Sequence, residues 1–417
     1  MVSTALAAAE AALRHNVRPL TPGGSGSLER ALEAVAGPAG TSLHAPDAAA
    51  EAVAIEGLAP GQARALERAI QAEGGRAVTA PDGRRTVLLG PPDSLLAVAS
   101  RLGGGGPPTQ ALAGALSGAL AGSLASGGHR ARLRCGDRQL ELGARTLVMG
   151  IVNATPDSFS GDGLAGDLGA AVALAERMVA EGADLVDVGG ESTRPGSAPV
   201  DAPTELLRVV PVVEALAGRL PVPISVDTRK AEVARAAIAA GATMVNDIWG
   251  LRGDPQMAPV LAAHPDVALV AMHNRRGHQY SDLVAEVARE LRESLVVAAR
   301  HGIGADRVVA DPGFGFGKTP AQNLELMQRL AELRGIGRPL LLGVSRKSTI
   351  GLLLDGAPPE MRVEGTLALC VLAVAAGAEM VRVHDVAAIH RGLRVADAVL
   401  REVPETVRRA PSPGPTG

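Results

Sequence analysis

The sequence predicts an α/β protein in which a (β/α)8 barrel follows a small α+β domain. Short apolar runs alternate with segments of helical periodicity over residues 131–405, and a polar or charged residue follows each run. The 417 residues include only three Phe, one Trp and one Tyr. The core must therefore be built from small and aliphatic side chains, which suits alternating strands and helices.

Residues 1–130 are expected to form the small α+β domain, with a loop at residues 20–27. A strand at Ala52–Ile55 precedes a helix at Gly61–Glu73, which the following Gly-Gly pair would end. The pattern then predicts a hairpin around a Pro-Asp-Gly turn and a second helix: Arg76–Thr79, Thr86–Leu89 and Pro92–Leu102.

A Gly- and Pro-rich linker at residues 103–108 leads into a leucine-striped segment, Ala111–Ser126. Its four leucines recur every four residues, which predicts a helix with one apolar face. Both this run and the apolar run Thr366–Ala378 are shorter than the roughly 20 apolar residues that a membrane span needs. The segment Met1–Leu20 lacks a basic region and is interrupted by Glu10, so no signal peptide is expected.

Eight strands are predicted for the barrel at Leu147–Val152, Leu185–Val188, Ile224–Val226, Met244–Val245, Ala268–Met272, Val308–Ala310, Leu340–Val344 and Met380–Val383. Helical spacing is found at Ala170–Ala180, Pro203–Leu216, Lys230–Ala240, Leu283–Arg300 and Ala321–Leu333. A doubly wound sheet is the alternative, but no Gly-x-Gly-x-x-Gly turn follows the first strand. Residues 406–417 form a Pro- and Gly-rich tail that we expect to be disordered.

Charge and cysteine content exclude several classes of protein. The net charge of -3, from 41 basic and 44 acidic side chains, gives no basic surface for nucleic acid or for a membrane. Cys135 and Cys370 are too few for a disulfide framework and suit a reducing compartment, so a cytoplasmic location is expected. No His/Cys cluster has the spacing of a zinc site.

Active sites of this barrel lie at the carboxyl ends of the strands. The residues there are Asn153, Asp187, Asp227, Asn246, Asp247, His273, Asp311, Arg346, Lys347, Arg382 and His384. Burying so many ionisable groups is costly unless ligands or partners satisfy them. Acidic and amide groups follow the early strands, whereas basic groups follow the last two, where this fold commonly binds phosphate. The pattern predicts a small planar ring, rich in N–H donors, with a phosphorylated arm.

Two other segments need interpretation. Gly317-Lys318-Thr319 is similar to the end of a nucleotide-binding P-loop, but position 312, where that motif needs Gly, is Pro. Phe314 and Phe316 alternate with glycines over residues 313–317, which favours a loop role for both. The basic segment at residues 273–277 is interpreted as a solvated loop.

The order of seven short motifs resembles that of dihydropteroate synthases. They occupy residues 149–160, 187–196, 225–228, 245–248, 311–318, 345–348 and 382–385. The resemblance covers residues 131–405, so residues 1–130 are an extension to which it assigns no role. We expect that deleting residues 1–126 leaves a folded barrel.

The resemblance implies roles for individual residues. The pterin ligands would be Asp227, Asn246, Asp311, Lys347, Lys318 and Met272. The p-aminobenzoate ligands would be Thr193, Arg194, Pro195, Phe316, Ser348 and Arg346. The diphosphate ligands would be Asn153, Arg382 and His384, and Asn153 would also bind Mg²⁺. The residues implied to be catalytic are Asp187, Asp227, Lys347, Arg194 and Asp157.

The reaction that the resemblance implies joins a pterin diphosphate to p-aminobenzoate in folate biosynthesis, in a cytoplasmic homodimer with Mg²⁺. Loops around Asp157 and Arg194 would close over the site. The first loop departs from the family pattern, because its carboxylate, Asp162, is shifted by one position. Two alternatives remain: a pterin-binding methyltransferase that serves a corrinoid protein, which should lack a diphosphate site, and a barrel that binds pterin without catalysis.

Overall fold

The computed structural model describes residues 2–20, 27–36, 51–124, 131–154, 168–191, 199–401, 403 and 405–408. Its N-terminal part is a four-stranded antiparallel sheet in the order β1-β2-β4-β3. The strands are β1 Arg18–Leu20, β2 Glu51–Ile55, β3 Arg76–Thr79 and β4 Thr86–Gly90. The helices are Val2–His15, Ser27–Ala36, Gln62–Ala72, Pro92–Gly103 and Pro107–Leu124.

The second part is an eight-stranded parallel barrel with strand order β12-β11-β10-β9-β8-β7-β14-β13. An isolated parallel bridge between Ala310 and Leu340 joins the two end strands. The strands are β7 Leu147–Asn153, β8 Leu185–Gly189, β9 Ile224–Asp227, β10 Met244–Asp247, β11 Ala268–Met272, β12 Val308–Asp311, β13 Leu341–Leu342 and β14 Met380–Val383. The predicted (β/α)8 architecture with a small α+β region before it is confirmed.

Helices cover the outside of the barrel and bury their apolar faces against the strands. They are Leu168–Ala180, Ala202–Ala217, Ala231–Ala239, Met257–Ala263, Leu283–Arg300, Pro320–Gln328, Ser348–Leu353, Val363–Ala375 and Val386–Leu400, with 3-10 turns at Ala305–Arg307, Leu330–Ile336 and Pro359–Met361. Among the described residues, no helix combines the length and hydrophobicity that crossing a membrane requires.

A hairpin closes the amino-terminal end of the barrel. Its strands, β5 Ala131–Cys135 and β6 Arg138–Leu142, are antiparallel. Leu133 and Cys135 are buried in the barrel interior with the first residues of several strands. Because this end is filled with side chains, the carboxyl ends of the strands are the face that remains for a site.

The N-terminal part packs on the barrel through a buried polar contact. Arg292, on the helix Leu283–Arg300, is 2% exposed and donates to Val17 O at 2.7 Å and to Gly335 O at 2.8 Å. It also donates to Asn16 Oδ1. Arg18, in β1, donates to Glu332 at 2.7 Å, in the 3-10 turn of the barrel. A buried barrel arginine therefore depends on the N-terminal segment for most of its hydrogen bonds.

Several sequence expectations need correction. The strand predicted at Leu340–Val344 is confined to Leu341–Leu342, and the helix predicted at Ala321–Leu333 ends at Gln328 before a 3-10 turn. Phe314 lies in a loop, as expected, yet is fully buried in the core. The helix Glu405–Arg408 overlaps the first three residues of the tail predicted to be disordered at residues 406–417, and residues 409–417 lie outside the described chain. The predicted loop at residues 20–27 lies mostly outside it as well.

Candidate active site

The polar strand ends predicted from the sequence meet at the open face of the barrel. Arg382, on β14, is the centre of the group: its Nε donates to Asp187 Oδ2 of β8 and its Nη2 to Asp227 Oδ2 of β9, both at 2.6 Å. Asn246, on β10, donates to the same Asp187 oxygen at 3.1 Å. One guanidinium thus links two carboxylates from neighbouring strands.

The two carboxylates differ in their surroundings. Asp187 is fully buried and Asp227 is slightly exposed. Burial raises the pKa of Asp227 to about 7; the Arg382 charge opposes this shift, while the nearby Asp187 adds to it. Asp227 can therefore gain or lose a proton near neutral pH, which suits a group that exchanges partners on ligand binding.

A second group lies between β12 and the segment after β13. Asp311, at the end of β12, accepts from Gly313 N at 2.7 Å, and Lys347 donates to Phe314 O. The Lys347 ammonium lies 4.5 Å from the centre of the Phe316 ring. Burial lowers the pKa of Lys347 to about 8, with Asp311 opposing the shift. Burial raises the pKa of Asp311, and Lys347 opposes that shift.

The basic residues after β13 and β14 are held in place by hydrogen bonds. Arg346, at φ 57°, pairs with Asp385 through two hydrogen bonds, one of 2.9 Å from Nε. Ser345 Oγ lies 2.9 Å from His384 Nδ1 and accepts from His384 N at 3.1 Å. Arg346 is therefore oriented by a carboxylate, and His384 by a hydroxyl group.

The other predicted residues are placed as follows. Asn153 and Met272 end β7 and β11, half-buried and buried respectively, and Ser348 is exposed at the start of a short helix. The predicted residues in the two loops lie outside the described chain: Asp157, Asp162, Thr193, Arg194 and Pro195. Asp247 accepts from Trp249 N and Leu251 N, so it orders its own turn.

Lys318 is buried beside this site, and its ammonium has three acceptors. It donates to Gly313 O at 3.0 Å and to Phe316 O at 3.1 Å, and it lies 3.0 Å from His273 Nδ1. Burial, together with the nearby Lys318 charge, lowers the pKa of His273 to about 4. The ring is therefore neutral and accepts from Lys318 through Nδ1, which leaves its proton on Nε2.

Sequence reasoning missed the residues that support this loop region. The segment at residues 273–277 is not simply solvated, because Arg275 pairs with Glu286 and Glu290 on the helix Leu283–Arg300. Glu290 also accepts from Arg252 at 2.7 Å. Burial raises the pKa of Glu290, but hydrogen bonds from His273, Arg275 and Arg252 outweigh it and lower the pKa well below normal. In the sequence, Glu286 and Glu290 look like ordinary solvated residues of a helix, so nothing there indicates that they pair with Arg275.

A charged cluster around Glu191 and Lys230 was also missed. Lys230, after β9, donates to Glu191 Oε2 at 2.6 Å and to the buried Glu205. Glu191 also accepts from Arg229 and from Val200 N. These contacts hold the Glu191 side chain in place just after β8.

The family model described as pterin binding enzyme matches residues 149–384. The dihydropteroate synthase of Bacillus subtilis is 47% identical over 258 residues, which cover 62% of this chain and 90% of that protein.

Solved structures agree. A dihydropteroate synthase of Xanthomonas albilineans with 4-aminobenzoic acid is 47% identical with a TM-score of 0.62, covering 68% of this chain and 100% of that one. A Clostridium difficile enzyme in the presence of pteroic acid is 46% identical with a TM-score of 0.61, covering 63% of this chain and 99% of that one. The similarity therefore spans nearly the full length of these relatives, but in this chain it covers little more than the barrel.

Proposed function

Since this chain belongs to the dihydropteroate synthase family of pterin-binding enzymes, we propose that the polar groups at its strand ends divide that family's reaction among them. The chain is a transferase of folate biosynthesis. It condenses 6-hydroxymethyl-7,8-dihydropterin diphosphate with p-aminobenzoate to give 7,8-dihydropteroate and diphosphate. The observation that carries the assignment is Arg382, which donates to both Asp187 and Asp227.

The pterin ring would lie between the two groups of carboxylates. Asp227, Asp311 and Asn246 supply oxygens for its N–H donors, Lys347 supplies a donor for its carbonyl oxygen, and Met272 would line the ring. This proposal is supported by the burial of Asp311 and Asn246, since buried polar groups are costly without partners. Asn246 Oδ1 and Asp187 Oδ1 are buried with no hydrogen-bond partner among the described residues.

Departure of the diphosphate would be assisted by positive charge. Arg382 has five N–H donors and uses only its Nε and Nη2 for the two carboxylates, so other donors can face diphosphate oxygens. His384 and Asn153 would add further donors. As the bond to the pterin methylene lengthens, Asp187 and Asp227 would stabilise the developing positive charge on that carbon.

The second substrate would enter beside Phe316, with Ser348 and Arg346 near its carboxylate. The aniline nitrogen attacks the methylene carbon as the carbon–oxygen bond to diphosphate breaks, and the new secondary amine then loses its extra proton to solvent. Because the nitrogen attacks without prior deprotonation, the reaction requires no strong base. We propose, as the resemblance implies, that Thr193, Arg194 and Pro195 bind p-aminobenzoate and that Asp157 and Arg194 close the site against water.

Mg²⁺ fits this site if the diphosphate supplies most of its ligands. The described residues include no group of three or more His, Cys, Asp or Glu side chains that could hold a metal. Mg²⁺ is commonly held by few protein oxygens together with substrate phosphates. The Asn153 amide oxygen, at the end of β7, is the ligand that we propose. When bound, the ion would neutralise charge on the leaving diphosphate.

The test is diphosphate release by the purified protein with the pterin diphosphate, p-aminobenzoate and Mg²⁺, omitting each in turn. We expect release that needs all three, with dihydropteroate as the product. Undiminished release after chelation with EDTA would contradict the magnesium requirement alone. Tight binding of methyl-tetrahydrofolate without condensation would instead favour the methyltransferase alternative.

We also propose that the protein is a homodimer. The helices Val363–Ala375 and Val386–Leu400 pack side by side and expose Leu372, Val395 and Val399 to 58%, 67% and 79%. Exposed apolar side chains on two helices that pack together are typical of an interface. Sedimentation velocity should show a dimer that Val395→Asp weakens, and a monomer at micromolar concentration would contradict the proposal. A cytoplasmic location is supported by Cys135 and Cys370, which are both free and buried.

A further inference from the structure

Two loops beside the site are joined by hydrogen bonds that the reaction does not explain. The β11 loop, residues 273–282, follows β11, and the β12 loop, residues 312–319, follows β12. Tyr280 of the β11 loop donates to Gly317 O of the β12 loop at 2.9 Å. Gln322, just after the β12 loop, donates to His278 O at 2.8 Å. The loops therefore contact each other at several points along their length.

The Lys318 ammonium is the most buried of these contacts. An ammonium has three N–H donors, and Lys318 has three acceptors within 3.1 Å: Gly313 O, Phe316 O and His273 Nδ1. Two acceptors belong to the β12 loop itself and the third belongs to the β11 loop. Burial lowers the pKa of Lys318 to about 7, and in the ammonium form all three donors are used by protein, so none remains for a pterin ring. This geometry differs from the pterin-ligand role implied by the family resemblance.

The glycines of the β12 loop allow this close approach. Gly313 and Gly317 both have positive φ, of 69° and 55°. A Cβ atom at Gly317 would lie 2.6 Å from Arg275 O, and one at Gly313 would collide with His273 O. The β12 loop therefore lies directly against the backbone of the β11 loop, without intervening side chains.

The β11 loop is in turn held by the helix Leu283–Arg300. Glu290 pairs with Arg275 and lies 3.4 Å from His273 Nε2, the nitrogen that carries the ring proton. The Arg275 guanidinium also lies 4.2 Å above the centre of the Tyr280 ring. The Glu290 carboxylate thus orients both His273, which accepts from Lys318, and Arg275, which lies over the Tyr280 ring.

We propose that the β11 loop and Glu290 form a brace for the β12 loop, in which Lys318, His273 and Tyr280 are positioning residues for the p-aminobenzoate pocket. This inference rests on the proposed function, specifically on the place of Phe316 in that pocket. The brace fixes the Phe316 carbonyl through Lys318 and the Gly317 carbonyl through Tyr280. It acts on the second substrate, because Phe316 belongs to the fixed segment.

The lysine content of the chain agrees with this role. The sequence has three lysines, Lys230, Lys318 and Lys347, among 41 basic residues. A compact ammonium can direct three donors at acceptors grouped around one atom, whereas a planar guanidinium cannot. We therefore expect Lys318→Arg to raise KM for p-aminobenzoate as Lys318→Met does, although the arginine keeps the positive charge.

The experiment measures kcat, both KM values and the equilibrium Kd of the pterin diphosphate in the full chain and in its variants. Tyr280→Phe removes one hydroxyl group, and we expect KM for p-aminobenzoate to rise about 5-fold, as for the loss of one hydrogen bond. Lys318→Met should raise it by roughly 10-fold or more. The Kd of the pterin diphosphate should change less than about 2-fold in both variants, and Arg276→Met, at an exposed position of the same loop, should change neither.

Two outcomes would overturn the brace: an unchanged KM for p-aminobenzoate in Tyr280→Phe, or a Kd for the pterin diphosphate that rises in Lys318→Met as much as that KM. If Lys318→Met does not fold, Tyr280→Phe decides by itself. Phe316→Ala separates the two proposals. If it leaves KM for p-aminobenzoate unchanged, the pocket assignment fails; if it raises that KM and Tyr280→Phe does not, the brace alone fails.

Discussion

Asp227 is a carboxyl group that folding makes harder to ionise. Its pKa rises from 3.8 to about 7 because it is buried close to a second carboxylate. Since the folded-state value is the higher one, the folded protein binds this proton more tightly than the unfolded chain does. The resulting contribution to stability is complete below about pH 4 and is lost as the pH rises towards 7. Ionised Asp227 in the folded site therefore lowers the free energy of unfolding relative to the protonated form.

The pH dependence of kcat/KM for the pterin diphosphate should reflect two of these residues. Asp227 must be ionised to accept from the pterin ring, so kcat/KM should rise as the pH passes about 7. Lys347 must be protonated to donate, so kcat/KM should fall as the pH passes about 8. A steady-state profile from pH 5.5 to 9.5 checks both limbs, and a flat profile would contradict the assignments.

Asp227→Asn is the matched control for the acidic limb. We expect kcat/KM to fall roughly 100-fold, the scale for losing one group that stabilises charge in the transition state. If kcat/KM of this variant still rises with pH near 7, the group that titrates there belongs to the substrate and not to Asp227. Thermal unfolding should also depend less on pH between 4 and 7 than in the original chain. Unchanged pH dependence would show that Asp227 is not the group that titrates.

The strand-end residues could be predicted from the sequence, but their partners could not. A polar residue after an apolar run is visible in the sequence, which is why Asp187, Asp227 and Asp311 were found. Glu290 lies in a helix whose acidic residues look like an ordinary solvated face. It reaches His273 only because the chain folds back over the barrel. Such pairing depends on tertiary structure, which periodicity does not encode.

At the scale of elements, the end of the helix Pro320–Gln328 shows how tertiary contacts override periodicity. The apolar spacing predicts a helix up to Leu333. Arg329 ends it instead, and its guanidinium pairs with Glu332 of the following 3-10 turn at 2.6 Å. Because Glu332 also accepts from Arg18 of the N-terminal part, the turn is shaped by a contact that is distant in sequence.

The start of the same helix carries a capping box. Thr319 Oγ1 accepts from Gln322 N at 3.2 Å, and Gln322 Oε1 accepts from Thr319 N at 2.8 Å. Thr319→Ala should lower the free energy of unfolding by about 1 kcal/mol, the usual effect of losing an N-cap. Urea denaturation measures this, with Thr319→Ser as a control that keeps the hydroxyl group. An equal loss in the serine variant would contradict the capping role.

At the scale of the whole molecule, we expect the N-terminal part to contribute to the stability of the barrel. The relatives described above align with the barrel of this chain over nearly their full length, so a barrel can fold without such an extension. Here, however, Arg292 receives two of its three acceptors from residues 16 and 17. We therefore expect that deletion of residues 1–126 leaves a folded barrel that is less stable than the barrel in the full chain.

A double-mutant cycle tests this dependence. In the full chain, Arg292→Leu should cost about 3 kcal/mol, because buried acceptors lose their donor. In the barrel without residues 1–126, the same change should cost less than about 1 kcal/mol, since the arginine would there be solvated. Chemical denaturation of the four proteins gives the coupling energy. Equal costs in both backgrounds would show that the contact between the two parts contributes nothing.

The isolated bridge between Ala310 and Leu340 is the shortest contact in the barrel's closed circle of strands. Most other neighbours pair over three or more residues, whereas here Ala310 N donates to Pro339 O at 2.8 Å at one meeting point. Asp311 follows one side of this seam and Lys347 follows the other. A pterin ring bound between them would link the two sides of this seam, so the substrate itself would strengthen the closure of the barrel. Amide protons near Ala310 should then exchange more slowly once the pterin is bound.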